Sequence, residues 1–331
     1  MTVFLVILLF ALGLFFIIKG GDVLVRAALS LGKVTGINHV IIGATFVSVA
    51  TTLPEVFVSI FAVAAGNHGI AVGNAIGAMI ANVALVLAIS ITFMPQGVKR
   101  REVFGKTIFL LLITALVFLF ALNLKLSWYE GLILLIAFAV FLVFAARGTQ
   151  KAEPNNSPFN ERGGAPLGVT GYVKWGWPKI IAGFVLGQLM LMTGVFALVQ
   201  NGEKMAHLFG ISETVVGFTL IALGTSLPEI TTAITSIRRK SGGLAVGSII
   251  GANVIGCTLL LGICGIIGDI KGDQLSVSRE TVFIAIPVLL ILTLIAVLPL
   301  LVNGRANRWQ GIVLLASYAA YVSYLLVAQP M

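Results

Sequence analysis

Residues 43–55 read GATFVSVATTLPE, and residues 217–229 read GFTLIALGTSLPE. The two stretches lie 174 positions apart, and the same offset, without a gap, sets AVGNAIGA at 71–78 against AVGSIIGA at 245–252. Apolar segments share Leu and Ile by composition alone. Gly, Thr, Leu-Pro-Glu and two further glycines in register instead mark an internal duplication of the kind on which many membrane transporters are built.

Outward from these motifs the chain is apolar: 331 residues, 59% hydrophobic and 10% charged, with a mean hydropathy of +1.09. A soluble domain carries roughly 25% charged residues, so a soluble globular protein is excluded and an all-α polytopic membrane protein is expected. With about 20 apolar residues needed per crossing, the runs between charged or Gly/Asn interruptions give ten spans. They fall at 3–26, 38–64, 70–93, 104–122, 127–146, 178–202, 212–237, 244–267, 281–302 and 308–327. Five spans, an odd number, separate corresponding motifs, so the second copy enters the membrane from the opposite face. The expected architecture is ten transmembrane helices as two inverted five-helix repeats, residues 1–146 and 178–331, joined by a linker over 147–177. That layout typifies alternating-access transporters, whose substrate site lies near mid-membrane where the copies meet.

Charge supplies an orientation. Seventeen of the 21 Lys and Arg residues fall at the connections after spans 1, 3, 5, 7 and 9, against Lys125, Lys204, Lys271 and Arg279 on the other side. The positive-inside rule then puts the linker in the cytoplasm and both termini outside, in a plasma (inner) membrane. The linker is rich in Pro, Gly and Asn and ends near Trp175 and Trp177, residues suited to a membrane interface. The first run lacks a preceding basic residue and a small-residue cleavage site, and reads as a retained span. The net charge of +9 comes in small groups between apolar runs, so the expected partners are the lipid bilayer and small cations, not nucleic acid. The chain is compatible with a monomer or a homo-oligomer. Cys257 and Cys264, seven apart in one run, sit about 10 Å apart on a helix and cannot bridge one another.

Of twelve acidic residues, only Glu55 and Glu229 fall deep inside spans, with no Lys, Arg or His at that depth. A carboxylate in hydrocarbon without a side-chain partner calls for a mobile cation or a proton. Pro54 and Pro228 lack an N–H and clash with the carbonyl four residues back, so the helices are expected to break there and free the Ala50 and Gly224 carbonyls. Thr51 and Thr52, with Thr225 and Ser226, add hydroxyls one turn before each Glu. Carboxylates, hydroxyls and carbonyls form the all-oxygen set that suits Ca²⁺ and Na⁺. Asn74, Asn82, Ser248 and Asn253 in the following spans are further candidate ligands, while the glycines there favour close helix packing.

The paired TTLPE and TSLPE stretches, each followed by Ala-Val-Gly and a second Gly-Ala, resemble the two alpha repeats of the sodium/calcium exchanger family within the calcium/cation antiporter superfamily, in its prokaryotic form. The motifs cover roughly residues 40–85 and 214–257. The resemblance implies a secondary antiporter, not an enzyme, in which Glu55 and Glu229 bind Ca²⁺ and Na⁺ uses the same carboxylates with flanking hydroxyls and carbonyls. Ca²⁺ and Na⁺ are then transported substrates, with no cofactor. Against the family pattern of Gly-Ser-Asn followed three residues later by Asn or Asp, the copies read Gly77-Ala-Met79 to Asn82 and Gly251-Ala-Asn253 to Gly256. Met79, Gly256, Ala78 and Ala252 therefore leave fewer hard oxygen donors.

The expected cycle follows from charge. A carboxylate pair of charge −2 is neutralised by one Ca²⁺, by two Na⁺ with any third held by neutral oxygens, or by protons. Mutually exclusive occupancy couples the fluxes, with Na⁺ entry driving Ca²⁺ export. A cation/proton antiporter on the same scaffold is the alternative. A passive channel would require a sodium-independent conductance, and an intramembrane hydrolase lacks its motif, since His68 and His207 are expected in outer loops and His39 near a helix end.

Overall fold

The computed structural model describes residues 3–93, 100–147, 175–208, 222–303 and 306–328. These form α1 (Val3–Thr35), α2 (His39–Ala64), α3 (His68–Phe93), α4 (Arg100–Ala121), α5 (Trp128–Arg147), α6 (Trp177–Leu208), α7 (Ala222–Arg238), α8 (Gly242–Ile270), α9 (Thr281–Ala285 continued by Ile286–Asn303) and α10 (Arg308–Ala328). Two short strands, β1 (Lys125–Leu126) and β2 (Leu275–Ser276), pair antiparallel and tie the connection after α4 to that after α8. Eight helices of the described residues, all but α7 and α10, are long and apolar enough to cross a membrane. The expected span at 212–237 is seen from residue 222 onward, and residues 148–174 of the expected linker lie outside the described residues.

The duplication reaches into local geometry. The helices that carry the two Leu-Pro-Glu motifs end at corresponding residues, Ala64 and Arg238, at the 174 offset, and His68–Ala81 and Gly242–Ile255 share both bounds. Immediately afterwards both copies widen into a π-helical turn, at Asn82–Leu87 and Gly256–Leu260. Such turns inside α-helices are rare and concentrate at functional sites.

Burial sorts the helices into layers. In its most apolar window α8 is 83% buried and α3 72%, against 22% for α1 and 28% for α5. The outer helices expose Phe4, Ile7, Phe15, Leu132 and Ile136, the arrangement expected where the outer solvent is hydrocarbon. At the centre Ile76, Met79, Ile80, Ile249, Val254 and Cys257 form one continuous core.

α1 and α6 pack along a glycine seam. A β-carbon at Gly13 would lie 2.9 Å from the Gly194 carbonyl oxygen, and one at Gly20 would lie 3.0 Å from that of Gly187. Rising numbers on one helix meet falling numbers on the other, so the two run antiparallel. Gly13 and Gly20 are also the 174-offset counterparts of Gly187 and Gly194, so a helix packs against its own copy. Small residues permit this backbone approach in the absence of a hydrophobic drive between helices.

Three expectations need correction. α1 does not end near residue 26: it continues through Lys19, Asp22 and Arg26 to Thr35, because Gly20 and Gly21 are wedged against Gly187 and Thr231 and because Asp22 pairs with Arg26 at 2.7 Å and Arg239 at 2.6 Å. The prolines do not break their helices: Ser48–Ala64 runs through Pro54, and Ala222–Arg238 through Pro228. The irregularity of α2 lies upstream, in a π-helical turn at Gly43–Val47, while Pro54 still denies the Ala50 carbonyl its usual donor. His68 opens α3 and His207 belongs to α6, so neither lies in a loop.

Candidate cation-binding site

Glu55 and Glu229 stand inside α2 and α7, 1% and 3% exposed. Their surroundings are built from the partner copy. Ser226 Oγ of α7 points to Glu55 Oε1 at 3.4 Å, and Thr52 Oγ1 of α2 points to Glu229 Oε1 at 3.5 Å. Because 52 and 226 correspond, as do 55 and 229, each copy's hydroxyl serves the other copy's carboxylate. These are long separations for O–H···O hydrogen bonds, so the hydroxyls face the carboxylates without clamping them. No ion pair with Lys, Arg or His involves either glutamate among the described residues.

Asn74 of α3 ties this centre together. Its amide nitrogen donates to the Glu55 backbone carbonyl at 3.2 Å and to Ser59 Oγ at 3.0 Å, while its carbonyl accepts from Thr225 Oγ1 at 3.2 Å. Ser59 Oγ donates in turn to the Ala71 carbonyl at 3.1 Å. Ser59, a helical turn after Glu55, was not singled out from the sequence; only its spacing of four from the glutamate could have drawn notice. Thr51 is buried and turns back to the Ser48 carbonyl at 3.4 Å, and Ser248 turns back to Ala245 at 3.0 Å.

The two remaining amides are almost fully buried. Asn253 Nδ2 donates to the Met79 carbonyl at 3.1 Å, which fixes the rotation of its side chain. Asn82 Oδ1, Asn253 Oδ1 and Glu229 Oε2 have no hydrogen-bond donor among the described residues. Buried acceptors are ordinarily satisfied, and three oxygens lacking a donor are what a cation would complete. Among the described residues no group of three or more His, Cys, Asp or Glu side chains gathers as transition metals prefer. The donor set is oxygen only. Cys257 and Cys264 are free and buried.

A multi-pass helical bundle with a buried carboxylate pair, lined by hydroxyls and amides and lacking a cationic side chain, defines a membrane transporter of small cations. The sodium/calcium exchanger protein family model matches residues 5–147 and 179–327. The chain belongs to that family. It is 29% identical to the sodium/calcium exchanger MaX1 of Methanosarcina acetivorans, over 96% of this chain and 97% of the relative. It is 30% identical to the inner membrane protein YrbG of Escherichia coli, over 97% of each. Among solved structures, the sodium-calcium exchanger NCX_Mj soaked with Na⁺ and Sr²⁺ matches with a TM-score of 0.82 at 28% identity, covering 100% of both chains.

Proposed function

We propose that the protein exchanges Na⁺ for Ca²⁺ by alternating access, with Glu55 and Glu229 as the carboxylate ligands and Thr51, Thr52, Thr225, Ser226, Asn82 and Asn253 as neutral oxygen ligands. The reciprocal crossing, Thr52 to Glu229 and Ser226 to Glu55, carries this reading. It makes the site a shared property of both copies, so a bound ion draws oxygens from α2 and α7 together. Ca²⁺ takes six to eight oxygens, which neither copy supplies alone.

Charge then couples the fluxes. An empty −2 site is costly to carry through hydrocarbon, whereas a site neutralised by Ca²⁺ or by Na⁺ hides its charge and permits the swap between faces. The two ions compete for the same two carboxylates and therefore cross in opposite directions. In this reading the chain is an inverted repeat of five plus five helices, 1–146 and 178–331, with linker 147–177 in the cytoplasm and both termini outside the plasma membrane. The matching bounds of His68–Ala81 and Gly242–Ile255 at the 174 offset, the antiparallel α1–α6 pair and the two separate stretches of the family match support it.

The test is uptake of isotope-labelled Ca²⁺ into Na⁺-loaded proteoliposomes, with and without an outward Na⁺ gradient. Uptake should require the gradient and vanish in Glu55→Gln and Glu229→Gln. Uptake that ignores Na⁺ but follows an imposed proton gradient would replace this reading with cation/proton exchange.

A further inference from the structure

Two contacts between the copies come in reciprocal pairs. Gly13 meets Gly194 and Gly20 meets Gly187; Thr52 reaches Glu229 and Ser226 reaches Glu55. In both cases the contact of one residue with the counterpart of another is matched by the converse contact, as a two-fold relation requires.

Met79 and Gly256 touch in the same manner. A β-carbon at Gly256 would lie 3.0 Å from both Cγ and Sδ of Met79, so the glycine is bare because the methionine fills its side-chain space. Met79 is 1% exposed, and its sulfur accepts from the Cys257 thiol at 3.3 Å; the thiol also lies 3.6 Å from Thr114 Oγ1. At the 174 offset Met79 corresponds to Asn253 and Gly256 to Asn82. The positions converse to the Met79–Gly256 contact are Asn253 and Asn82, and α8, which carries Asn253, packs on the π-helical turn that Asn82 opens. One flank of the site is a thioether on a glycine. The other is a pair of amides whose Oδ1 atoms are buried with no donor among the described residues.

We infer that Met79 and Gly256 close one of the two symmetry-related flanks to cations, so that the site holds at most two Na⁺ and the exchange is electroneutral, two Na⁺ for one Ca²⁺. This rests on the sodium/calcium reading above. Two Na⁺ neutralise Glu55 and Glu229, and the Asn82 and Asn253 oxygens complete the shells of ions beside those carboxylates. A third Na⁺ would add an uncompensated charge in hydrocarbon and would need a shell of neutral oxygens alone. The flank where the fold's symmetry would provide that shell offers a sulfur and no side chain, and the adjoining Ala78 and Ala252 bring no hydroxyl.

The experiment measures the Na⁺-to-Ca²⁺ flux ratio in proteoliposomes whose membrane potential is clamped with K⁺ and valinomycin. The expected ratio is two, with the final Ca²⁺ gradient unchanged by the clamp. Movement of one net charge per cycle would shift that gradient about 50-fold per 100 mV. A ratio of three with such a shift overturns the inference and leaves sodium/calcium exchange intact, whereas no Na⁺-dependent Ca²⁺ flux overturns both. The M79N/G256N variant makes the flanks alike and should acquire potential dependence; a variant that transports at a ratio of two would remove Met79 and Gly256 as the cause. The native ratio is decisive even if the double variant does not fold.

Discussion

Asn74 and Ser248 hold equivalent places in the two copies, yet the first bridges α3 to both α2 and α7 while the second bonds only its own helix. α8 of the second copy also makes bare backbone contact with α2. Gly247 and Gly251 of α8 press on the start of α2, where a β-carbon at Gly251 would lie 2.5 Å from the Ala44 carbonyl and from Ser48 Oγ. Gly43 presses back on Leu244 and Ser248. Asn74 thus holds its neighbours by polar, directional bonds, and the glycines of α8 hold theirs by close steric contact.

The steric side should break hardest. Gly251→Leu drives a side chain into backbone that cannot yield, and overpacking of this kind costs about 1–3 kcal/mol or more. Ca²⁺ flux in proteoliposomes should fall more than tenfold, with a lower melting midpoint in detergent. Gly247→Ala should show the same loss in milder form, since its β-carbon would meet Val40 backbone. No loss on Gly247→Ala would erase the distinction.

The polar side comes next. Asn74→Ala removes the bonds to the Glu55 carbonyl, Ser59 Oγ and Thr225 Oγ1, and each lost intramolecular hydrogen bond costs about 0.5–1.5 kcal/mol. Thermal unfolding in detergent should register that loss, and Ca²⁺ flux should drop about tenfold as Thr225 loses its orientation, an expected factor consistent with roughly 1.4 kcal/mol. Ser248→Ala removes one bond within its own helix and should change either quantity by less than about 0.5 kcal/mol. A double-mutant cycle between Asn74 and Thr225 should show coupling, and one between Ser248 and Thr51 should not.

These contrasts mark how far the residues could be read in advance. Helix bounds followed from apolar runs because hydrocarbon leaves a backbone no other partner, and the Leu-Pro-Glu pair drew attention because buried carboxylates are rare. The extent of α1 is underestimated by the span 3–26 because Arg26, Ser30, Gly32 and Lys33 look like a loop by composition. Only the seam with α6 and the pairing to Arg239 reveal why a helix persists there, and a long lysine can carry its charge outward from a buried stem. Asn74 ranked level with Ser248 for a related reason: which side chain crosses between helices depends on helix rotation, and rotation is set by packing. The fit of Met79 to Gly256 was hidden likewise, since the sequence shows two unrelated departures where the fold shows one contact.

The smallest effect belongs to a feature that the first copy alone carries. Asp22 pairs with Arg239 and Arg26, while its counterpart in the second copy is Phe196. Asp22 is 28% exposed and Arg26 is 52% exposed, so solvent screens the cluster and the pairs together are worth about 1 kcal/mol or less. Asp22→Asn should therefore lower the melting midpoint by only about 2 °C. The difference should shrink as salt is raised from 0.01 M toward 1 M and the Debye length falls from about 30 Å to 3 Å. If the pair also holds α1 against the end of α7 during transport, Ca²⁺ flux should change in the same salt-dependent way; a flux change that ignores salt would assign Asp22 a role other than this ion pair.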